Sequence, residues 1–388
     1  MPSVTTIVRK TPASNLRQYF DARGIVLPPA VNWDGPEGEI VRPLLRAVDE
    51  LDPETRARIA NDVERVGEMA DEAGDAALYS VAPDTGYLDA LPNAHARALW
   101  MFVNEAELFR RAEEVRYTDD RRRGRMWDGF VGAPNLEVRR DAAALEVFKD
   151  AVRQRFESPN VQVDVFDRHR PTFDGDDRNV VQGTVYREGR PDDFLEFVDG
   201  ALDRRPRRPV FEAALTYEPE TGVIEVVARD RESRPDLVRL FARDLLATEF
   251  HEERLPLRRF DLSVLTCPCT FDSDPEDEIA AVRVNHLRLM PFDTNGERIT
   301  LECMRGADTN IWEMAARRLG DADPLQGGWT VTQAKLTIRF HPEPGSNRGK
   351  TLPLTITMPH GCDLKDRTER ERLIGEKYLR RWGIVRDV

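Results

Sequence analysis

Two short segments each place a pair of potential metal ligands one residue apart: Cys267-Pro268-Cys269 and His360-Gly361-Cys362. Thiolate and imidazole are preferred donors for zinc, and four of them make a tetrahedral structural site. Together the segments could supply three cysteines and one histidine, with Pro268 and Gly361 turning the backbone around the ion. Structural zinc pairs more often have two to four intervening residues, and free cysteine commonly packs as a small hydrophobe. Packing is therefore the competing reading, and Cys303 reads as a core residue of that kind. No other cofactor is implied.

A second constellation is Glu249-Phe250-His251-Glu252-Glu253. Three acids around a histidine at a helix end could hold a divalent metal or move protons, as in a metal-dependent hydrolase or nuclease. No second histidine completes a HExxH pattern, so a polar helix terminus is the plainer reading. The acids Asp272, Asp274, Glu276, Asp277 and Glu278 lack the glycine and glutamate spacing of a calcium loop. Gly345 to Gly349-Lys350-Thr351 is one residue short of a phosphate-binding loop. It also lies between two apparent strands, where such a loop must open a helix, so it reads as a hairpin turn. There is no GxSxG and no GxGxxG.

Arginine runs are the remaining signal. They are Arg121-Arg122-Arg123-Gly124-Arg125, Arg204-Arg205-Pro206-Arg207-Arg208, Arg258-Arg259 and Arg380-Arg381. Such runs could form local phosphate-binding faces for a nucleic acid, or could be solvated surface balanced by nearby acids.

The elements that would position these residues change character along the chain. Residues 1–37 carry five prolines and read as an extended arm, with a short turn of helix near 14–20. Residues 38–158 read as a helical domain. Helices are predicted over 40–51, from Asp52-Pro53-Glu54 to a stop at Gly74, over 94–115 and over 141–156, with a loop at 121–134. After residue 158 the apolar period drops to two. Strands are predicted near 161–165, 180–186 and 194–198, with Asp199-Gly200 as a turn, and then a hairpin over 210–228 followed by a helix. A further strand is expected at 261–265.

Strand–turn–strand–helix units are predicted to begin near Val210, Ala281 and Trp329, the last ending in a helix over 366–382. The expected fold class is α+β: a mainly helical N-terminal domain, then an antiparallel-sheet-rich region with strand-strand-helix units. The expected boundaries are 1–37, 38–158, 159–270 and 271–388.

Composition bounds the function. The chain has 388 residues, 40% hydrophobic and 33% charged, enough apolar material for real cores. Its formal net charge of −13 argues against coating a nucleic acid through the overall field, though not against a local basic groove. Of its 57 basic residues six are lysine, a bias expected of a GC-rich bacterial genome. No apolar run could span a bilayer, and the first residues lack the apolar stretch of a secretory signal. Four cysteines without a signal suggest reduced thiols in the cytoplasm. The reading that follows is a non-catalytic bacterial binding or assembly protein. It would engage a protein partner, a nucleic acid or both through local arginine-rich faces. The hydrolase and the zinc-stabilised regulator are the alternatives.

Overall fold

A computed structural model of the chain describes residues 3–122, 124–172, 177–256, 259–293, 296–304, 309–342 and 348–386. They fall into two compact units, the first holding the described residues up to Pro171 and Asp177–Leu255, the second Thr172 and those from Pro256 onward. The fold is α+β, with helices mainly N-terminal and antiparallel sheets in the later part.

The first unit opens with eight helices: α1 (Val4–Lys10), α2 (Ala13–Ala22), α3 (Glu37–Asp49), α4 (Pro53–Glu68), α5 (Glu72–Val81), α6 (Gly86–Asp89), α7 (Ala94–Asn104) and α8 (Ala106–Arg121). Residues 1–37 are thus not the extended arm that their prolines suggested. Ser3 caps α1 by accepting the Thr6 N–H, and Pro12 stands just before α2, where a missing N–H breaks no helical bond. Ile7, Val8, Leu16, Tyr19 and Phe20 are buried in the helical core.

Asp52 caps α4 with Pro53 in its first turn, as the sequence signals. The helix ends at Glu68, and Asp71 caps α5, so Gly74 lies inside the next helix and not at a stop. The apolar stripe over 94–115 is also interrupted. Glu105 leaves helical geometry at φ −130° and ψ 56°, which turns α7 into α8.

The unit continues with β1 (Trp127–Val131), α9 (Ala142–Phe156), β2 (Val161–Pro171), β3 (Asp177–Glu188), β4 (Asp192–Val198), β5 (Ala201–Arg207), β6 (Val210–Glu218), β7 (Val223–Ala228) and α10 (Ser233–Asp244). β1 falls within the segment expected to be a loop. The strands pair antiparallel in the order β1-β7-β6-β3-β2, while β4 and β5 form a separate ribbon. Because side chains alternate across a sheet, its two faces differ. Val185, Leu215, Tyr217, Ile224 and Val226 pack with Phe148 and Val152 of α9 and Leu237 and Phe241 of α10. Gln182, Thr184, Thr216 and Glu225 lie on the opposite face, all buried.

The second unit comprises β8 (Arg259–Phe260), β9 (Ile279–Pro291), β10 (Ile299–Glu302), α11 (Ile311–Leu319), β11 (Trp329–Phe340), β12 (Thr351–Thr357), β13 (Gly361–Cys362), α12 (Glu369–Arg381) and β14 (Val385–Arg386). The strand expected at 261–265 is a short 3₁₀ turn, because the Asp261 carboxylate accepts the Ser263 N–H at 2.9 Å and curls the chain. The main sheet runs β10-β9-β11-β12-β13, all antiparallel. Leu287, Ala334, Leu336, Leu354 and Ile356 bury one face against Ile311, Ala315, Tyr378 and Leu379 of the two helices. α12 starts at a reciprocal cap in which Thr368 accepts the Glu371 N–H and Glu371 reaches back. No helix among the described residues is long and apolar enough to cross a membrane.

Candidate functional site

The ribbon β4–β5 carries one of the two long arginine runs. Asp199 and Gly200 form its two-residue turn with φ of +51° and +79°, the left-handed pair that a tight hairpin requires. The register sets Asp192 opposite Arg207, Phe194 opposite Arg205, Leu195 opposite Arg204 and Phe197 opposite Leu202. Alternation then gives two unlike faces.

On one face Arg205 Nε lies 2.8 Å from Glu196, and Arg207 Nε donates to Asp192 at 3.1 Å. The Arg207 guanidinium also lies 4.5 Å from the Phe194 ring centre. The other face presents Leu195, Phe197 and Leu202, exposed by 49, 77 and 62% respectively. Pro206 lies on this face too. The remaining arginines also meet acids: Arg204 is 3.8 Å from Asp193, and Arg208 is 3.3 Å from Glu188. Between Glu188 and Arg208 there are six acids and five arginines, so the run does not create a basic face.

The other run is divided among separate tasks. Arg121 stacks 3.8 Å from the Tyr117 ring centre. Arg122 donates to Glu225 on β7 at 2.8 Å, inside the protein. Arg125 is exposed, and Arg123 lies outside the described residues, as does Arg258.

Arg122 belongs to a buried ionic network that sequence reasoning missed, between α8 and the polar face of the first sheet. Arg168 pairs with Asp119 through both terminal nitrogens, and Arg170 Nη1 lies 2.9 Å from Glu225. Burial, reinforced by the charge of Arg122, pulls Arg170 down to about 10. Thr118 accepts from Gln182 at 3.2 Å, and Tyr186 donates to Glu114 at 2.9 Å. Burial and the nearby Glu114 carboxylate push Glu212 up to about 7 against the pull of Arg121 and Arg229. In sequence these residues look like the solvated half of alternating strands. Nothing local marks them as buried.

The sequence-derived metal ligands are placed apart in their roles. Cys267 is exposed, and Cys269 and Cys362 are half-buried against the second core. Burial, with Cys267 close by, pushes the Cys269 thiol up. Among the described residues, no three His, Cys, Asp or Glu side chains come together to hold a metal ion.

Glu249 to Glu253 lie beyond α10, not on its end. Glu253 O accepts the Val131 N–H at 2.8 Å as the chain runs beside β1, and Glu252 pairs with Arg239. The 272–278 acids are used by α12: Lys377 reaches Asp274 and Asp277 at 2.8 and 2.6 Å, and Arg381 reaches Asp274 at 2.7 Å. The segment with Gly345 lies largely outside the described residues and connects the antiparallel pair β11 and β12.

A surface cleft of about 660 Å³ is lined by Leu136, Val138, Arg140, Asp167, Val181 and Pro219. Its central charges neutralise one another, since Arg140 and Asp167 form a two-pronged pair. No protein-family model and no curated protein matches the chain.

Proposed function

We propose that the protein is a non-catalytic binding module that docks on a second protein through the apolar face of the β4–β5 ribbon. The observation that carries the reading is Leu195, Phe197 and Leu202 held together on one exposed face. An isolated two-stranded hairpin is marginal in water, and an apolar patch kept on one is a feature of interaction surfaces. The apolar face also carries Asp193 and Arg204, 3.8 Å apart, so a partner that covers it takes in this one ion pair, while the pairs of Arg205 and Arg207 lie on the opposite face.

The occupant is a different protein, not a second copy. The three apolar side chains offer on the order of 300–400 Å², whereas a stable interface needs about 800 Å² on each partner. Two ribbons laid face to face fall short. A partner with an apolar groove that receives the whole ribbon reaches that area.

Site-specific photocrosslinking in the native host tests this. A crosslinker at position 197 is expected to give one discrete heterologous adduct, lost in Leu195→Ser/Leu202→Ser. The same probe at position 205, on the ion-paired face, is expected to give less. An adduct with a second copy, or equal adducts from both positions, overturns the reading.

A further inference from the structure

The second unit carries a basic surface unrelated to the arginine runs, on the sheet face turned away from its helices. The register fixes its composition. Leu301, Leu287, Ala334 and Ile356 lie side by side on the core face. Rows on the other face read Glu302–His286–Lys335–Thr355 and Thr300–Arg288–Gln333–Thr357. Further along come Arg283–Thr337–Pro353 and Ala281–Arg339–Thr351. Because α11 and α12 pack on the core face, neither covers these rows.

Among the charged residues of the rows, Arg283, Arg288, Lys335 and Arg339 face a single acid, Glu302. Lys335 and Arg339 are exposed. Residues 256–388 as a whole hold twenty basic and twenty acidic residues, so this face concentrates positive charge in a neutral unit. Elsewhere in the unit Lys377, Arg381 and Arg386 are paired with acids. Arg288, Lys335 and Arg339 make no ion pair with any described residue. Burial, with Lys335 close by, also pulls His286 below its usual range, so the row stays free of further charge near neutrality.

From this charge complementarity we infer that the β9–β11–β12 face binds double-stranded DNA through its phosphate backbone. The rows supply guanidinium, ammonium, amide and hydroxyl donors, which are the groups that contact phosphate oxygens. None of the row residues is Phe, Tyr or Trp, and the one imidazole, His286, is buried, so the face lacks the stacking platform of a single-strand binder. With one carboxylate among the donors, it suits an acceptor-only backbone better than RNA, which adds a donor at each 2′-hydroxyl. Contacts to the phosphate backbone carry no sequence information, so the binding inferred is sequence-independent. This inference stands apart from the ribbon, and either can fail alone.

The test is fluorescence anisotropy of the full chain with a labelled DNA duplex across a salt series. Contacts from Arg288, Lys335 and Arg339 predict that log affinity falls against log salt with a slope of about 2–3. Lys335→Gln/Arg339→Gln is expected to weaken binding about tenfold or more and to reduce the slope by about 2. Glu302→Lys, which adds a cation on the same face, is expected to tighten binding. Arg204→Gln/Arg205→Gln is expected to change nothing. The inference is overturned by no binding at about 50 mM salt, or by unchanged affinity in both face variants. Equal loss on the ribbon overturns it too, as does tighter binding to single-stranded DNA, duplex RNA or phosphatidylserine vesicles.

Discussion

Arg168 on β2 donates both terminal guanidinium nitrogens to the two oxygens of Asp119 on α8, at 2.9 and 2.8 Å, with its side chain wholly out of solvent. This pair joins the helical layer to the polar face of the first sheet. Its geometry is two-pronged, the arrangement in which guanidinium and carboxylate fit best. Removing one partner leaves the other buried and uncompensated.

Asp119→Ala is therefore expected to lower stability by about 3–5 kcal/mol, read as a shift in the urea midpoint. The double variant Asp119→Leu/Arg168→Met is expected to lose less than the single one, because no charge is stranded. A single-variant loss below about 1 kcal/mol, the scale of an exposed pair, counts against the pair as a buried contact.

The same pair sets an acid limit. Burial alone raises the Asp119 carboxyl, but Arg168 and Arg170 outweigh it and hold the group below the usual range. A depressed acid contributes stability above its unfolded value, near 3.8, and loses it as pH falls through the folded value. Wild-type stability is thus expected to drop below about pH 4, and Asp119→Asn is expected to flatten that segment of a stability–pH curve.

Glu212 predicts the opposite slope. Burial and the Glu114 charge raise it to about 7, so the folded state holds a proton that the unfolded state releases near 4.3. Stability from this group is complete below its unfolded value and falls as pH rises through 7. Glu212→Gln is expected to gain about 1–2 kcal/mol at pH 8 relative to wild type, with solvent screening already allowed for, and nothing at pH 4. Equal effects at both pH values would show that folding does not raise the Glu212 carboxyl.

What was legible depended on whether the signal was local. The hairpin over 210–228 and the cap at Asp52-Pro53 are settled by residues a few positions apart, and both stand where the sequence puts them. The break at Glu105 is silent, because the apolar stripe continues across it on both helices. The N-terminal helices were hidden by prolines that occupy cap positions, where proline is harmless. The Arg168–Asp119 and Arg122–Glu225 pairs span 49 and 103 residues. No spacing rule connects them, and alternation alone made the β2 arginines look solvated. The arginine runs were visible, but their ion partners were not.

Excision of the ribbon separates docking from folding. Gly189 N donates to Pro209 O at 2.7 Å, and β3 pairs β6 up to Glu188 and Val210. Replacing residues 190–208 with Asn-Gly closes this pair with a tight hairpin turn. Thermal unfolding is expected to keep one cooperative transition within a few degrees of wild type, while any ribbon-dependent adduct disappears. Loss of the transition would assign the ribbon to the core of the first unit.

Gly74 tests how α4 and α5 abut. On helix propensity alone, Gly74→Ala should stabilise α5 by about 1 kcal/mol. But a Cβ at this position would stand 2.4 Å from Met69 Cα, 2.6 Å from Met69 C and 2.7 Å from Glu68 O. These are backbone atoms at the end of α4, and Met69 itself is 1% exposed in the helical core, so they cannot swing aside. Either the α4–α5 corner opens or the cap from Asp71 to the Gly74 N–H is lost. Crowding of this kind costs about 1–3 kcal/mol and exceeds the propensity gain. The expected result is a lowered unfolding midpoint for Gly74→Ala. The exposed helix position Gly38, with no atom within 4 Å of a Cβ, should show no loss on the same substitution. A stabilised Gly74→Ala would mean that the two helices are not in contact at this corner.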